Sequence, residues 1–152
     1  MKKLDVSTFP MIGGLLKECF DEAGVDERLT LDECLGWGHV MLQQNKADIW
    51  VDDDELPGAV LVLAEGVSVF PKEKPLTLVL IYVVPQKRTL NKFKTLSRFI
   101  EAQATIKGKN CIYASEWLYR KDGKEDLPPA IGPLWEAMGY KKQETVYIQH
   151  LE

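Results

Sequence analysis

The sequence predicts an α/β domain (α+β in layout) built on a mixed sheet. Most of this sheet is antiparallel, one strand-helix-strand crossover is parallel, and helices cover both faces. Two segments with helical periodicity come first, three β-rich runs follow, and a strand, a long amphipathic helix and another strand complete the pattern. Strands joined by turns pair antiparallel, whereas a helix between two strands gives a parallel crossover. A length of 152 residues fits one domain, residues 1–152.

The first part of the chain is predicted to be helical. Apolar residues recur at offsets of three and four from Thr8 to Ala23, which is typical of an amphipathic helix. Thr30 and Glu33 have the spacing of a capping box, in which each side chain binds a free amide of the first turn. A second helix is therefore expected from Leu31 to Gln44, and a short first strand is expected at Lys3 to Val6.

Short β-rich runs follow the second helix. An acidic turn, Asp52 to Gly58, and a proline-bounded connection, Phe70 to Pro75, separate them. The third run is so apolar that it must be central and covered on both faces. The three predicted strands are Ala47 to Val51, Leu56 to Phe70 and Leu76 to Val84.

Pro85 ends the third strand because proline cannot donate to a strand ladder. The next helix, Leu90 to Lys107, has one apolar face and one basic face, and Gly108 is its expected terminator. A strand from Asn110 to Ser115 follows. The remaining predicted elements are a helix from Ala130 to Met138 and a final strand from Lys141 to Leu151.

The charge is unevenly distributed. The formal net charge is -4, but Gln86 to Lys109 contains seven basic residues and one acidic residue, a net of +6, which leaves -10 for the remainder. A basic cluster in an acidic chain favours one anionic ligand site over general binding of nucleic acid, which we do not expect. The apolar runs are far shorter than the ~20 residues of a membrane-spanning helix. We therefore expect a cytoplasmic protein without a membrane span.

The cysteines and histidines give no metal-binding pattern. Cys19, Cys34 and Cys111 are widely spaced among apolar neighbours, so we expect reduced, buried thiols. The two histidines, His39 and His150, stand in no zinc-ligand spacing. No metal site is predicted.

The order of elements resembles that of the GNAT acyltransferase superfamily from nearly end to end. The strand end Ile81 to Pro85, followed by Gln86 to Asn91, looks like the family's V-x-P and Q/R-x-x-G-x-G/A loop. Phe93 to Ala104 has the apolar spacing of the helix after that loop. Leu134 to Lys141, L-W-E-A-M-G-Y-K, resembles the family's L-Y-E-K-L-G-F segment. The resemblance implies a GNAT-like acyl-CoA N-acyltransferase fold.

The resemblance also implies acetyl-CoA as acyl donor. In the family, consecutive amides at the helix start point at the pyrophosphate of coenzyme A. Thr89 and Asn91 occupy the family's glycine positions here, so the loop is degenerate, and a helix start that keeps the fold without the cofactor is the alternative. Lys87, Arg88 and Lys92 add positive charge where the phosphates are expected. The cofactor-binding residues implied are Val83, Val84, Gln86, Lys87, Arg88, Thr89, Leu90 and Asn91.

The positions that carry catalysis in the family are altered. The family's acid is often a tyrosine, and Trp135 stands there, whose indole is no practical acid. The strand Leu76 to Val84 contains no carboxylate. Glu65 is the nearest candidate base, although we expect it to face solvent. Tyr82, Tyr119 and Tyr147 are further residues that can reach a cleft. No catalytic residue is assigned.

Two functional hypotheses remain open. The first is an acetyl-CoA-dependent N-acyltransferase for an unidentified amine, in a small molecule or a peptide. Residues 1–60 carry 13 acidic and five basic residues, which favours a cationic acceptor. The alternative is a catalytically inactive GNAT-fold protein that serves as a binding or assembly component, as in phage virions. Family members pair through edge strands, so a homodimer or an assembly partner is compatible with either hypothesis.

Overall fold

A five-stranded sheet forms the centre of the computed structural model, which describes residues 1–23, 30–114 and 132–141. Within these residues the strands follow one another across the sheet in chain order. The first four pair antiparallel with their neighbours, and the last pair is parallel. The mixed sheet predicted from the sequence is therefore confirmed. The strands are β1 (Lys2–Lys3), β2 (Ala47–Val51), β3 (Ala59–Glu65), β4 (Pro75–Val83) and β5 (Cys111–Ala114).

The helices begin and end where local side chains satisfy the backbone. The Thr30 side chain accepts a hydrogen bond from the Glu33 amide and Glu33 binds the Thr30 amide, so the capping box is confirmed. Gly108 ends the long helix with a φ of 64°, a conformation that suits glycine. None of the helices in the described ranges is long and apolar enough to cross a membrane. The helices are α1 (Gly13–Ala23), α2 (Leu31–Gln43), α3 (Leu90–Ile106) and α4 (Gly132–Ala137), with 3-10 turns at Phe9–Ile12 and Pro85–Lys87.

Two apolar layers cover the sheet, one on each face. Successive residues of a strand point to opposite faces, and β3 divides its side chains accordingly. Val60 and Val62 pack with α1 and α2. Leu61 and Leu63 pack with α3 and with Trp135 of α4. Helices therefore lie on both faces, as the apolar character of the central strands predicts.

A β-bulge in β4 changes which face its side chains reach. Val62 pairs with Leu80, but the next residue of β3, Leu63, pairs with Leu78, so Val79 is an extra residue. An extra residue shifts the alternation of a strand by one position. Leu78 therefore packs on the α3 side, whereas Tyr82 packs on the α1 and α2 side. The bulge brings the end of β4 into contact with α1.

Several element boundaries differ from the prediction. The first strand is Lys2–Lys3 rather than Lys3 to Val6, because the Asp5 carboxylate accepts the Thr8 amide at 2.8 Å and turns the chain. The run predicted from Leu56 to Phe70 forms a strand only over Ala59–Glu65. At its start the Gly58 amide bonds to the Asp52 side chain instead of a strand. At its end the Gly66 amide closes the connection by bonding to the Pro75 carbonyl at 3.1 Å.

The three cysteines are free, as expected, but all are half-buried rather than buried. Burial raises the pKa of the Cys19 thiol to about 12, and the nearby Glu22 carboxylate adds to this shift. Partial burial also raises the pKa of the Cys111 thiol. Both shifts disfavour a reactive thiolate. Ser115, Tyr119, Ala130, Tyr147, His150 and the predicted final strand beyond Lys141 lie outside the described residues.

Packing of α3 on the sheet is expected to supply much of the stability. Ile100 is fully buried between α3 and the sheet, so Ile100→Ala should lower the free energy of unfolding by about 2–5 kcal/mol. Ile106, the last residue of the same helix, is 75% exposed, so Ile106→Ala should change it by less than about 0.5 kcal/mol. Urea unfolding of both variants measures the difference. Equal losses would contradict the assigned helix face.

Candidate functional site at the end of β4

The predicted cofactor loop forms the corner between β4 and α3. Val83 is the last residue of β4, Pro85–Lys87 form a 3-10 turn, and α3 begins at Leu90. Thr89 caps the helix, because its side chain accepts the Lys92 amide at 3.0 Å. The first turn of α3 is therefore capped by a side chain of the loop itself.

Two backbone amides at this helix start are open. Among the described residues, no acceptor contacts the amides of Leu90 and Asn91. Leu90 is 55% exposed and Asn91 is also exposed. Free amides and the positive end of the helix dipole together attract an anion. The start of α3 can therefore bind a phosphate group.

Within the described residues, one edge of β4 has no strand partner near its C-terminal end. In the described residues, the pairing of β4 with β5 ends at Leu78 and Ala114, so Val79 to Val83 extend past the described end of β5. The Val84 amide donates to the Gly58 carbonyl on the β3 side at 2.8 Å. Because backbone groups alternate along a strand, the polar groups of Val83 point to the opposite edge. There the Val83 carbonyl accepts a bond from a side chain, Arg88 Nε, at 2.7 Å.

Two lysines of the corner are bound to the acidic turn. Lys87 Nζ lies 2.5 Å from Asp54 Oδ2, and Lys92 Nζ lies 3.2 Å from Asp52 Oδ2. Asp52 is 5% exposed and accepts the Gly58 amide at 2.8 Å. The Lys87 ammonium holds the pKa of the Asp54 carboxyl below its usual range. A Cβ at position 58 would lie 2.5 Å from Lys87 Cδ, so a larger residue there would require the Lys87 side chain to move.

Arg88 connects the corner to α1. Its NH1 and NH2 groups each lie 2.5 Å from an oxygen of Glu22. Its guanidinium also lies over the Tyr82 ring, 5.5 Å from the centroid. The Tyr82 hydroxyl donates to the same Glu22 carboxylate at 3.1 Å. Glu22, Tyr82 and the Val83 carbonyl thus surround one guanidinium.

The protonation states follow from these contacts. The hydrogen bonds from Arg88 hold the pKa of Glu22 below its ordinary value. The pKa of Tyr82 is raised to about 12, first by burial and then by its bond to Glu22. At neutral pH the Glu22 carboxylate is therefore charged and the Tyr82 phenol is protonated.

All eight residues predicted to bind the cofactor lie at this one corner. The structure differs from the sequence prediction in charge, because Lys87, Arg88 and Lys92 are paired with Asp54, Glu22 and Asp52. Sequence reasoning identified the acidic turn but did not place it against the loop. Glu22 gave no signal, since it lies 66 residues from Arg88 in the chain.

The other candidate residues lie away from the corner or in the core. Trp135 is 5% exposed and packs between Phe93 and Tyr140, with ring centroids 4.8 and 4.9 Å apart. Glu65 is paired with Lys109 at 3.2 Å, and its side chain is 73% exposed. It stands opposite Leu76 at the start of β4, the far end of that strand from the loop. His39 is half-buried on α2.

Comparison with known proteins gives the class of this fold. No family model matches the chain, and no curated protein matches it. Among solved structures, the GCN5-related N-acetyltransferase from Ralstonia eutropha JMP134 is 19% identical, with a TM-score of 0.72 over 98% of this chain and 96% of that one. A predicted acetyltransferase from Clostridium acetobutylicum, solved with acetyl-CoA, is 14% identical, with a TM-score of 0.73 over 98% and 94%.

A third neighbour is the aminoglycoside N-acetyltransferase AAC(6')-Iy, solved with a bisubstrate analog of CoA and acetylneamine. It is 16% identical, with a TM-score of 0.70 over 99% of this chain and 96% of that one. These similarities span both chains almost completely. The chain therefore has the GNAT fold, as the motifs predicted.

The ion pair between Glu22 and Arg88 should make a pH-dependent contribution to stability. Because the Arg88 side chain is 40% exposed, solvent weakens the pair, and Glu22→Gln should cost about 1 kcal/mol at pH 7. The lowered pKa means that this contribution is complete above the ordinary glutamate pKa of about 4.3 and is lost as the pH falls through the folded-state value.

Urea unfolding of the wild type and Glu22→Gln at pH 7, 5 and 3 tests this dependence. Glu18→Gln is the matched control, because Glu18 is exposed on the same helix and should behave like the wild type. A cost for Glu22→Gln that stays the same from pH 7 to pH 3 would show that the carboxylate charge is not its source.

Proposed function

We propose that this chain is an acetyl-CoA-dependent N-acetyltransferase that acts on an amine. The observation that carries the proposal is the pair of amides of Leu90 and Asn91, which no acceptor among the described residues contacts. They lie at the start of α3, which the Pro85–Lys87 turn joins to the end of β4. They supply phosphate-binding donors in a fold whose neighbours include a predicted acetyltransferase solved with acetyl-CoA. The cofactor-binding role of this corner rests on that combination.

The residues of the corner fit a pyrophosphate group. The amides of Leu90 and Asn91 bind one phosphate without breaking any contact of the described residues, and the α3 dipole favours it. The Thr89 hydroxyl accepts from Lys92, yet its own proton remains a donor. Arg88 is 40% exposed and is adjacent in the chain to Thr89. Gln86 and Lys87, in the 3-10 turn before α3, are the polar and basic residues next to Arg88 in the chain.

Acetyl-CoA would supply a thioester. Transfer would form a bond between the amine nitrogen and the thioester carbonyl carbon and break the C–S bond. The nitrogen would lose one proton and the departing thiolate would gain one, so the protons balance. The chain positions the two reactants. The Val83 backbone lies at the β4 edge, next to the amides that bind phosphate. Tyr82 is protonated and bonded to Glu22, so it orients Glu22 and does not act as a base.

A non-catalytic role remains the second candidate. Two observations favour it. Trp135, at the position of the family's acid, is buried in the core and cannot donate a proton to a leaving thiolate. Lys87, Arg88 and Lys92 are paired within the protein. In this alternative the ion pairs of the corner only stabilise the fold, and the folded protein does not bind CoA.

Leu90→Pro provides a direct test of the amide role. Leu90 is the first residue of α3, where proline fits a helix and only its amide donor is lost. Thr89 already has the extended backbone that a following proline requires, with φ of -135° and ψ of 156°. The variant should bind CoA about 10-fold or more weakly, the scale of one hydrogen bond to a charged group.

Isothermal titration with CoA and acetyl-CoA measures this loss. Leu90→Ala is the matched control, since it removes the same side chain and keeps the amide, so it should bind as the wild type does. Thermal melts confirm that both variants fold. If the two variants bind CoA with equal affinity, the Leu90 amide does not contribute to binding. If the folded wild type does not bind CoA, the non-catalytic role is favoured.

A further inference from the structure

The guanidinium of Arg88 lies in a set of groups that is suited to an organic cation. Glu22 provides a bidentate carboxylate at 2.5 Å for each nitrogen, and the Val83 carbonyl accepts Nε at 2.7 Å. The Tyr82 ring covers the guanidinium with its centroid at 5.5 Å. A carboxylate, a carbonyl oxygen and an aromatic face are the three kinds of partner that bind a positive charge in proteins. We call this set, formed by Glu22, Tyr82 and Val83, the cation site.

We propose that the cation site binds a positively charged group of the acceptor, and that Arg88 occupies it in the free protein. This assignment rests on the proposed function, because it requires the acceptor to lie beside the β4 edge. The site is built from two separate parts of the chain, Glu22 of α1 and the last two residues of β4, Tyr82 and Val83. The sequence analysis predicted that Tyr82 can reach a cleft and that Val83 binds the cofactor, but it assigned no role to Glu22.

Arg88 is able to leave the site. Its side chain is 40% exposed, and the contacts that hold it are polar ones to Glu22 and the Val83 carbonyl together with the Tyr82 ring. Arg88 is followed in the chain by Thr89 and then by the open amides of Leu90 and Asn91. A phosphate bound at these amides offers the guanidinium a second anionic partner. Donor binding thereby draws Arg88 away from Glu22 and opens the cation site to the acceptor.

The chemistry of the site restricts the acceptor. An ammonium group bound to a carboxylate keeps its proton more strongly, because the negative charge favours the charged form. Such a nitrogen has no free lone pair and cannot attack a thioester. The cation in the site is therefore a second group, distinct from the nitrogen that is acetylated. The acceptor is a diamine or a guanidino-amine, with one fixed positive charge and one separate amine.

Removal of Arg88 should leave the site open without any donor present. Arg88→Ala should bind 1,4-diaminobutane at least 10-fold more tightly than the wild type in isothermal titration without CoA. Adding Glu22→Gln to this variant should abolish the gain, because the carboxylate charge is lost. Adding Glu18→Gln instead should preserve it, since Glu18 is an exposed carboxylate one turn earlier on α1. Arg88→Gln serves in the same series if Arg88→Ala does not fold.

The outcomes separate this inference from the proposed function. A folded Arg88 variant that binds the diamine no better than the wild type would overturn the cation site, and so would a gain that survives Glu22→Gln. CoA titration of the wild type tests the proposed function independently. If both hold, saturating CoA should tighten diamine binding to the wild type, and the diamine should tighten CoA binding by the same factor.

Discussion

The bulge at Val79 is the constraint on which the rest of the site depends. Without this extra residue, the alternation of β4 would direct Tyr82 to the α3 face, the side that Leu78 occupies. With it, the strand fills the α3 layer in its first half and presents Tyr82 to α1 in its second half. The contacts of Tyr82 and Arg88 with Glu22 follow from this change of face.

The electrostatics of the corner follow from the same arrangement. The stretch from Gln86 to Lys109 has a formal charge of +6, yet it does not present an unbalanced positive surface at the loop. Its three basic residues there are matched by three carboxylates, from α1 and the acidic turn. An anionic ligand that binds these basic side chains must therefore replace the carboxylates with which they are already paired. Its affinity is for this reason smaller than the net charge of the stretch alone suggests.

The sequence predicted those features that depend on neighbouring residues. The Thr30–Glu33 capping box, the apolar face of α3 and the glycine stop at Gly108 each require only a few adjacent positions, and the structure confirms all three. Strand ends were less accurate, because apolar residues continue past Ala59–Glu65 while the backbone already bonds elsewhere.

The site was predicted only in part, for a related reason. The loop itself was identified from its motif and its charge. Its partners, Glu22 and Asp52, come from other parts of the chain and carry no local pattern that specifies a contact with Arg88 or Lys92. The burial of Trp135 likewise depends on Phe93 and Tyr140, which only the folded chain brings together.

The Thr89 cap has a thermodynamic consequence for any ligand at the start of α3. Because the threonine side chain already fixes the first turn, the helix does not have to form when the ligand binds, and no ordering entropy of the backbone opposes association. A phosphate group itself has no apolar surface to bury. Binding of phosphate alone at this corner should therefore have a small change in heat capacity, unlike the large negative change that accompanies coupled folding.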